Sequence, residues 1–470
     1  MRFMRNESVR WAAGTAFAAA LGLGAGLASG EAKAWSLEEA AAPYAGTSLN
    51  IICQAYTPCY AIEGLTPEFT EITGIEVNFE LTDLDTAGKK GMTDVITGGG
   101  FYDIIEVQGF TNALWTIQEL SEPYDAYYND SALRDPGFSI DDIIPALNDM
   151  NCIYQGKQVC MPKEYFVSFA VMRKDIIADA GERAAFSAKY GYDLPPANDV
   201  VTVDTWEQWG DMAEFFTRDA GETLAGNTLE SDFYGISVSF KRYLTVWYDW
   251  MEAMTAMGGE MFDSDYNLTI NSPEGVAALD FMRAMTAYAP PSYGEYTWDE
   301  QYSDFCNGNT FSGWAWADVA FYLQIEEDCP ASAHNTTHFL YPGEHLSIPY
   351  ANTWTIPSTS TKKEAAYLWV QWTTSYETQM KATKDGWLPN RRDVLADPKW
   401  QEDHHTASWT TVHLEALDNG YLGKIHKHPG SQALLDMMVE ELSAAIHSDD
   451  SSQIILDKIQ EQAAEFITKE

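Results

Sequence analysis

Basic residues are scarce: Lys and Arg together number 28 against 70 Asp and Glu, a formal net charge of −42. A field of that sign repels nucleic-acid phosphates and anionic lipid, which argues against both as partners. It fits a solvated acidic surface. Catalytic signatures are missing as well. No GxSxG, HExxH, P-loop or paired-glycine dinucleotide pattern occurs, so no catalytic residue is nominated. No cofactor is implied, and carboxylates are too numerous to single out a glycosidase pair. Cysteines are few and form no CxxC, so zinc is disfavoured. There is no internal repeat, no low-complexity linker and no membrane-length apolar run beyond the N-terminal segment.

What is present begins with Arg2, Arg5 and Arg10, an Ala/Gly-rich apolar run from Trp11 to Ala28, and Ala32-Lys33-Ala34. That order is a secretory signal, with cleavage expected after Ala34 and export; an uncleaved membrane anchor is the competing reading, weakened by Gly14, Gly22, Gly24 and Gly26 within the run. No Cys stands near that point to take a lipid. In an oxidising compartment the six cysteines fall into three neighbouring couples: Cys53 with Cys59, Cys152 with Cys160, and Cys306 with Cys329.

With 470 residues, 46% of them hydrophobic, the chain is long enough for two or three lobes. From Leu49 it alternates. Strand patterns at 49–52, 75–81 and 102–107 are separated by helical patterns at 59–73, which contains Pro67, and at 87–97, with another at 112–120. This repetition predicts an α/β fold with a parallel-rich sheet and crossover helices on both faces. Ligands then sit beyond the carboxyl ends of the strands, at Gln54 to Thr57, Thr82 to Asp85 and Gln108 to Thr111. The run 165–172 reads as a buried strand and as the passage between lobes. Helix starts are punctuated by Thr205-Trp-Glu-Gln208, Ser272-Pro273 and Thr361-Lys-Lys-Glu364. Two amphipathic helices, on Leu434, Met438, Leu442 and Ala445 and on Ile455, Ile459, Ala463 and Phe466, close the chain.

The stretch from Tyr350 to Asp393 stands out for aromatic and guanidinium groups. Trp354, Trp387 and Arg391 read as a cleft wall suited to a hydroxyl-rich ligand, because indole faces stack on C–H surfaces and an Arg fork binds oxygen. Both indoles as plain core residues is the competing reading. Trp316 beside Asp318 offers the same pairing of flat face and acceptor, with Trp314 on the same strand face.

Taken together, Leu65-Thr-Pro-Glu-Phe-Thr-Glu-Ile-Thr-Gly, Thr97-Gly-Gly-Gly-Phe-Tyr-Asp, Met161-Pro162 through Arg173-Lys-Asp175, Trp316-Ala-Asp318, Asn352-Thr-Trp354 and Trp387-Leu-Pro-Asn-Arg391 resemble the bacterial extracellular solute-binding proteins of the sugar and polyol ABC-import type, like maltose-binding protein. The resemblance covers nearly the whole exported chain. It implies a two-lobed, hinged periplasmic-binding-protein fold and a monomer that hands a carbohydrate or polyol to a membrane permease. The lobes would be 47–157 with 346–390, and 158–345 with 391–470. It also implies ligand contacts at Tyr56, Gln108, Glu164 or Tyr165, Trp316, Asp318, Trp354 and Arg391. The couples Cys53/Cys59 and Cys152/Cys160 are not a general family feature and flank two of those positions.

Two rival sites read otherwise. Asp263 to Glu274 has oxygen ligands at calcium-loop positions, but Leu268 replaces the turn glycine and a hairpin followed by a capped helix explains the same letters. His404, His405, His413, His426 and His428 crowd one region and read as solvated loop histidines rather than a metal site. The alternative functions are an exported carbohydrate-active enzyme and a polyamine or metal-ion binder of the same fold.

Overall fold

The computed structural model describes residues 35–403, 407–419 and 428–467. The secretory segment, its cleavage point and His404, His405 and His426 lie outside these residues.

Along the chain the strands that build the two sheets are β1 (Ser48–Gln54), β2 (Glu76–Thr82), β3 (Ile104–Gln108), β4 (Met161–Pro162), β5 (Ser168–Arg173), β6 (Ser312–Trp316), β7 (Thr336–Phe339) and β8 (Asn352–Thr355). The first sheet has the order β2-β1-β3-β8-β4. β1 runs parallel to β2, in register from Ser48↔Glu76 to Gln54↔Thr82, and parallel to β3. The helices Thr57–Thr73 and Leu84–Ile96 fill the crossovers, as the alternation predicted. Pro67 sits inside the first on its exposed side, where the carbonyl it leaves unbonded meets water.

The second sheet, β6-β5-β7, departs from the parallel-rich expectation because both of its pairings are antiparallel. β8 is antiparallel to its neighbours in the first sheet too. One topological fact accounts for this. β5 and β8 are the strands by which the chain enters a sheet from the other one, so each starts at the shared edge. β1, β3 and β6 end there: Gln108 pairs with Asn352, and Trp316 with Ser168.

The passages are short. Residues 163–167 lead from β4 to β5 and residues 348–351 lead into β8, and the two pair with each other through Phe166 and Tyr350. β4 belongs to the first sheet, so the chain leaves that sheet beyond Pro162 rather than at the expected 157/158 boundary. A third passage lies at Asn390 and Arg391, where Ile143 bridges Arg391, and beyond it helix Ala407–Asn419 packs on β7.

Apolar side chains sort into separate cores. One packs Ile51, Phe69, Trp354 and Trp369 around the first sheet; the largest packs Trp209, Trp250, Met282, Leu434 and Met438 around the second. Thr205 and Gln208 form a reciprocal cap, and the Ser272 hydroxyl accepts from the Gly275 N–H. Thr361 does not cap the helix Lys363–Thr373. There the Lys362 ammonium instead reaches Asp103 at 2.8 Å and the Ser48 carbonyl at 2.7 Å, tying the helix start to β1.

All three expected cysteine couples are bonded, with Cα separations of 6.4, 5.0 and 4.1 Å. In the loop at Asp263, its carboxylate accepts from the backbone N–H groups of Asp265 and Asn267 while Phe262 bridges Leu268, which is a hairpin turn. His413 is buried between the rings of Tyr165 and Trp409, and His428 is buried on Phe262, so neither is the solvated loop histidine expected.

Candidate ligand-binding site

Where the strands of both sheets end toward each other, a cavity of about 660 Å³ opens. That is within the usual range for small-molecule sites. The first sheet supplies the loops after β1 (Gln54 to Thr57), β2 (Asp83, Leu84) and β3 (Gln108 to Phe110), together with Asn352. The second side supplies Trp316 at the end of β6, Asp318 just after it, and Tyr248, Trp298 and Tyr302 from neighbouring helices; Phe166 and Tyr350 come from the crossings.

Aromatic faces dominate one wall. The Trp316 ring lies 5.1 Å from Tyr248 at 81°, 5.4 Å from Tyr350 and 6.4 Å from Trp298. Edge-to-face and tilted packing of this kind fixes the plane of each ring. On the opposite side Tyr56 stacks on Phe166, with ring centroids 6.3 Å apart. The Thr57 and Tyr322 hydroxyls hydrogen-bond to each other across the gap.

Three buried polar atoms in this lining have no protein partner among the described residues: the indole N–H groups of Trp298 and Trp316 and one carboxylate oxygen of Asp318. Loss of water around Asp318, reinforced by Asp299, lifts its carboxyl to about 6 despite backbone N–H groups that favour the charge. It is therefore mostly ionised at neutral pH and ready to accept hydroxyl protons.

Beneath Tyr56 lies a fully buried ionic cluster. The Lys163 ammonium contacts Glu106 at 2.8 Å, Glu164 at 3.1 Å and the Tyr56 hydroxyl oxygen at 2.7 Å. Tyr56 donates to Glu164 at 2.5 Å. Burial, with Glu106 nearby, raises Glu164 to about 8 even though Lys163 pulls it down. At neutral pH Glu164 is thus mostly a neutral acid. Cys53, Cys59 and Glu106 are the one group of described residues with donors close enough for a metal ion. They do not fit one: the sulfurs are bonded to each other and Lys163 stands 3.2 Å from Cys59 Sγ.

Of the sequence-predicted contacts, Tyr56, Gln108, Trp316 and Asp318 meet in the cavity. Glu164 lies behind Tyr56, and Tyr165 points away, packed on His413. The cleft-wall placing of Trp354, Trp387 and Arg391 is corrected. Trp354 is fully buried against Trp369 with ring centroids 5.0 Å apart, and Trp387 is in the same core. Arg391 is bound to Asp393 at 2.8 Å and to Asp142 at 3.5 Å. The physical reason is position along the strand: Asn352 faces the cavity at the start of β8, while Trp354, further along it, lies within the sheet's core.

Tyr248, Trp298, Tyr302 and Lys163 were missed. Tyr248 sits on the helix Leu244–Ala256, which is buried on every side and shows no face to read. Trp298 had a signal: Thr297 and Glu300 form a capping box that starts its helix at the cavity rim. A second groove of about 680 Å³ runs over the outside between helices Trp206–Phe216 and Pro273–Met285, away from the strand ends.

Two α/β lobes with facing strand ends and a cavity between them are the architecture of a two-lobed binding-protein fold. Residues 59–380 match the family described as bacterial extracellular solute-binding protein, and the chain belongs to that family. It is 26% identical to the mannitol-binding protein of Pseudomonas aeruginosa over 296 residues, 60% of this chain and 58% of that protein. It is 20% identical to a probable amino-acid ABC transporter periplasmic-binding protein of Sinorhizobium fredii over 76% of this chain and 75% of that one. Among solved structures, an ABC transporter solute-binding protein of Agrobacterium radiobacter in complex with ribitol superposes with a TM-score of 0.74 at 20% identity, covering 90% of this chain and 99% of that one. Among the described residues no helix is long and apolar enough to cross a membrane.

Proposed function

We propose that this protein captures an uncharged sugar or sugar alcohol between its lobes in the periplasm, as a monomer, and passes it unaltered to the permease of an ABC importer. The observation that carries the reading is the pairing, in the cavity lining, of the Trp316 ring and its unbonded N–H with the unpartnered Asp318 oxygen: a polyol has both C–H surface to stack and hydroxyls to donate. Mannitol and ribitol, named for two similar proteins, have that chemistry. The lobes divide at the three crossings, which act as the hinge.

An amino-acid ligand, named for another relative, is disfavoured by the lining. An α-carboxylate needs a fixed cation, and the cavity offers Lys241 against Asp83, Asp299, Glu300 and Asp318, while Arg391 is engaged elsewhere. Titration calorimetry against mannitol, ribitol, maltose and leucine tests this: tight binding of a neutral polyol or sugar supports it, and binding of leucine alone rejects it. New reducing ends from an oligosaccharide panel would instead make the protein an enzyme.

A further inference from the structure

We propose that Lys163, which lines no part of the cavity, is the positioning residue that sets ligand affinity by holding the loop Gln54–Thr57 against the first crossing. The inference rests on the reading of the cavity as a polyol site. The loop forms part of the cavity wall, and three contacts fix it. Glu106 accepts the Gln54 backbone N–H at 2.5 Å through one oxygen, and its other oxygen takes the Lys163 ammonium at 2.8 Å. Lys163 and Asn352 donate to the Tyr56 hydroxyl at 2.7 and 3.3 Å, and that hydroxyl donates onward to Glu164. The Cys53–Cys59 bond closes the loop's two ends, with Lys163 3.6 and 3.2 Å from the sulfurs.

Tyr56's hydroxyl is fully engaged below, so the guest meets its ring and not its oxygen. Lys163 also lies over that ring, 4.5 Å from its centre. Three residues further along the same crossing, Phe166 stacks on the ring's own plane. Any hinge motion that shifts residues 163–166 therefore moves Tyr56, and a seated ligand resists it. This couples occupancy to closure through one buried ammonium.

The charge state of the cluster then matters. The groups facing Glu164 are Lys163, Glu106 and Tyr56; Cys53 and Cys59 are bonded and do not titrate. Tyr56 is pushed far above its ordinary range and stays protonated. Above about pH 8 Glu164 loses its proton and the cluster gains a negative charge. The charged Glu164 then competes with Glu106 and the Tyr56 hydroxyl for the one Lys163 ammonium and loosens its hold on the loop, so affinity falls as pH rises.

The test uses the full exported chain with D-mannitol and ribitol as probes, by calorimetry from pH 6 to 9. Lys163→Arg keeps the charge but is too broad to sit between sulfur and hydroxyl, so the dissociation constant should rise about tenfold, the worth of one buried hydrogen bond. Wild-type affinity should fall about fivefold or more from pH 7 to 9, and Glu164→Gln should flatten that fall. Thermal unfolding of each variant separates loss of fold from loss of binding. An unchanged dissociation constant in a folded Lys163→Arg, or a pH profile as steep in Glu164→Gln as in wild type, overturns the inference alone. A wild-type protein that binds no sugar or polyol overturns the reading of the site and this inference with it.

Discussion

The two ends of the crossing segments face the same physical problem and meet it with opposite chemistry. At the first sheet, buried Lys163 and Glu106 form a direct ion pair that anchors the passage. At the second, the anchor is Glu252 on the helix Leu244–Ala256, whose carboxyl takes the Ile348 backbone N–H at 3.2 Å; among the described residues no cation is paired with it. Burial lifts Glu252 to about 8 and lifts Asp249, one turn before it, well above the carboxylate range, where Gln301 bonds to it at 3.4 Å. One end is held by paired charge and the other by acids that stay protonated. A buried charge needs its partner, whereas a neutral acid needs only a hydrogen bond, so the ends should fail differently.

The largest effect should come from breaking the pair. Lys163→Met leaves Glu106 buried without a counter-ion and should cost about 3–5 kcal/mol in urea unfolding. A loss no larger than that of an exposed Lys would remove the contrast. Next is the site between the two anchors: Trp316→Ala should weaken polyol binding by about 2 kcal/mol in calorimetry with the circular dichroism spectrum unchanged. Binding should also weaken as pH falls through about 6, where Asp318 takes up a proton and loses acceptor capacity. An affinity flat from pH 7 to 5 would take Asp318 out of the site.

The slope of stability with pH tests the second anchor. Glu252 holds its proton in the folded chain between its ordinary 4.5 and about 8, while the unfolded chain has released it. The folded state therefore binds more protons across that window, and stability drops as pH rises through it, by at most about 1.4 kcal/mol per pH unit. Glu252→Gln keeps an acceptor for Ile348 and should make the melting temperature less sensitive between pH 5 and 8; an unaltered slope would show that this acid is not the anchor described. Arg391→Ala should do least, below about 1 kcal/mol in stability because its partners are exposed carboxylates, and should move affinity less than twofold. A tenfold loss would return Arg391 to the site.

Much of the first half was legible because it is written locally. Alternation over 49–107 gave strands, crossovers and the loops Gln54–Thr57 and Gln108–Thr111, since residue periodicity and crossover handedness act over neighbouring residues. Thr205 and Ser272 announced their helices, but Thr361 did not cap, because Lys362 found long-range partners in Asp103 and Ser48 that no local pattern encodes. Trp354 and Trp387 misled for a related reason. An indole before a turn has the same letters whether it faces a cleft or a core.

The chain's order of residues by itself determined the α/β alternation, the three cysteine couples and the strand ends that line the cavity, because each depends on spacing between near neighbours. Only the tertiary structure decided which aromatics form the wall, that the second sheet is antiparallel, and that Lys163 joins Tyr56, Glu106 and Glu164. The contacts of Tyr56 with Glu106 and Glu164 span 50 and 108 positions along the chain, and burial at such separations is fixed by how whole sheets meet and not by any local pattern.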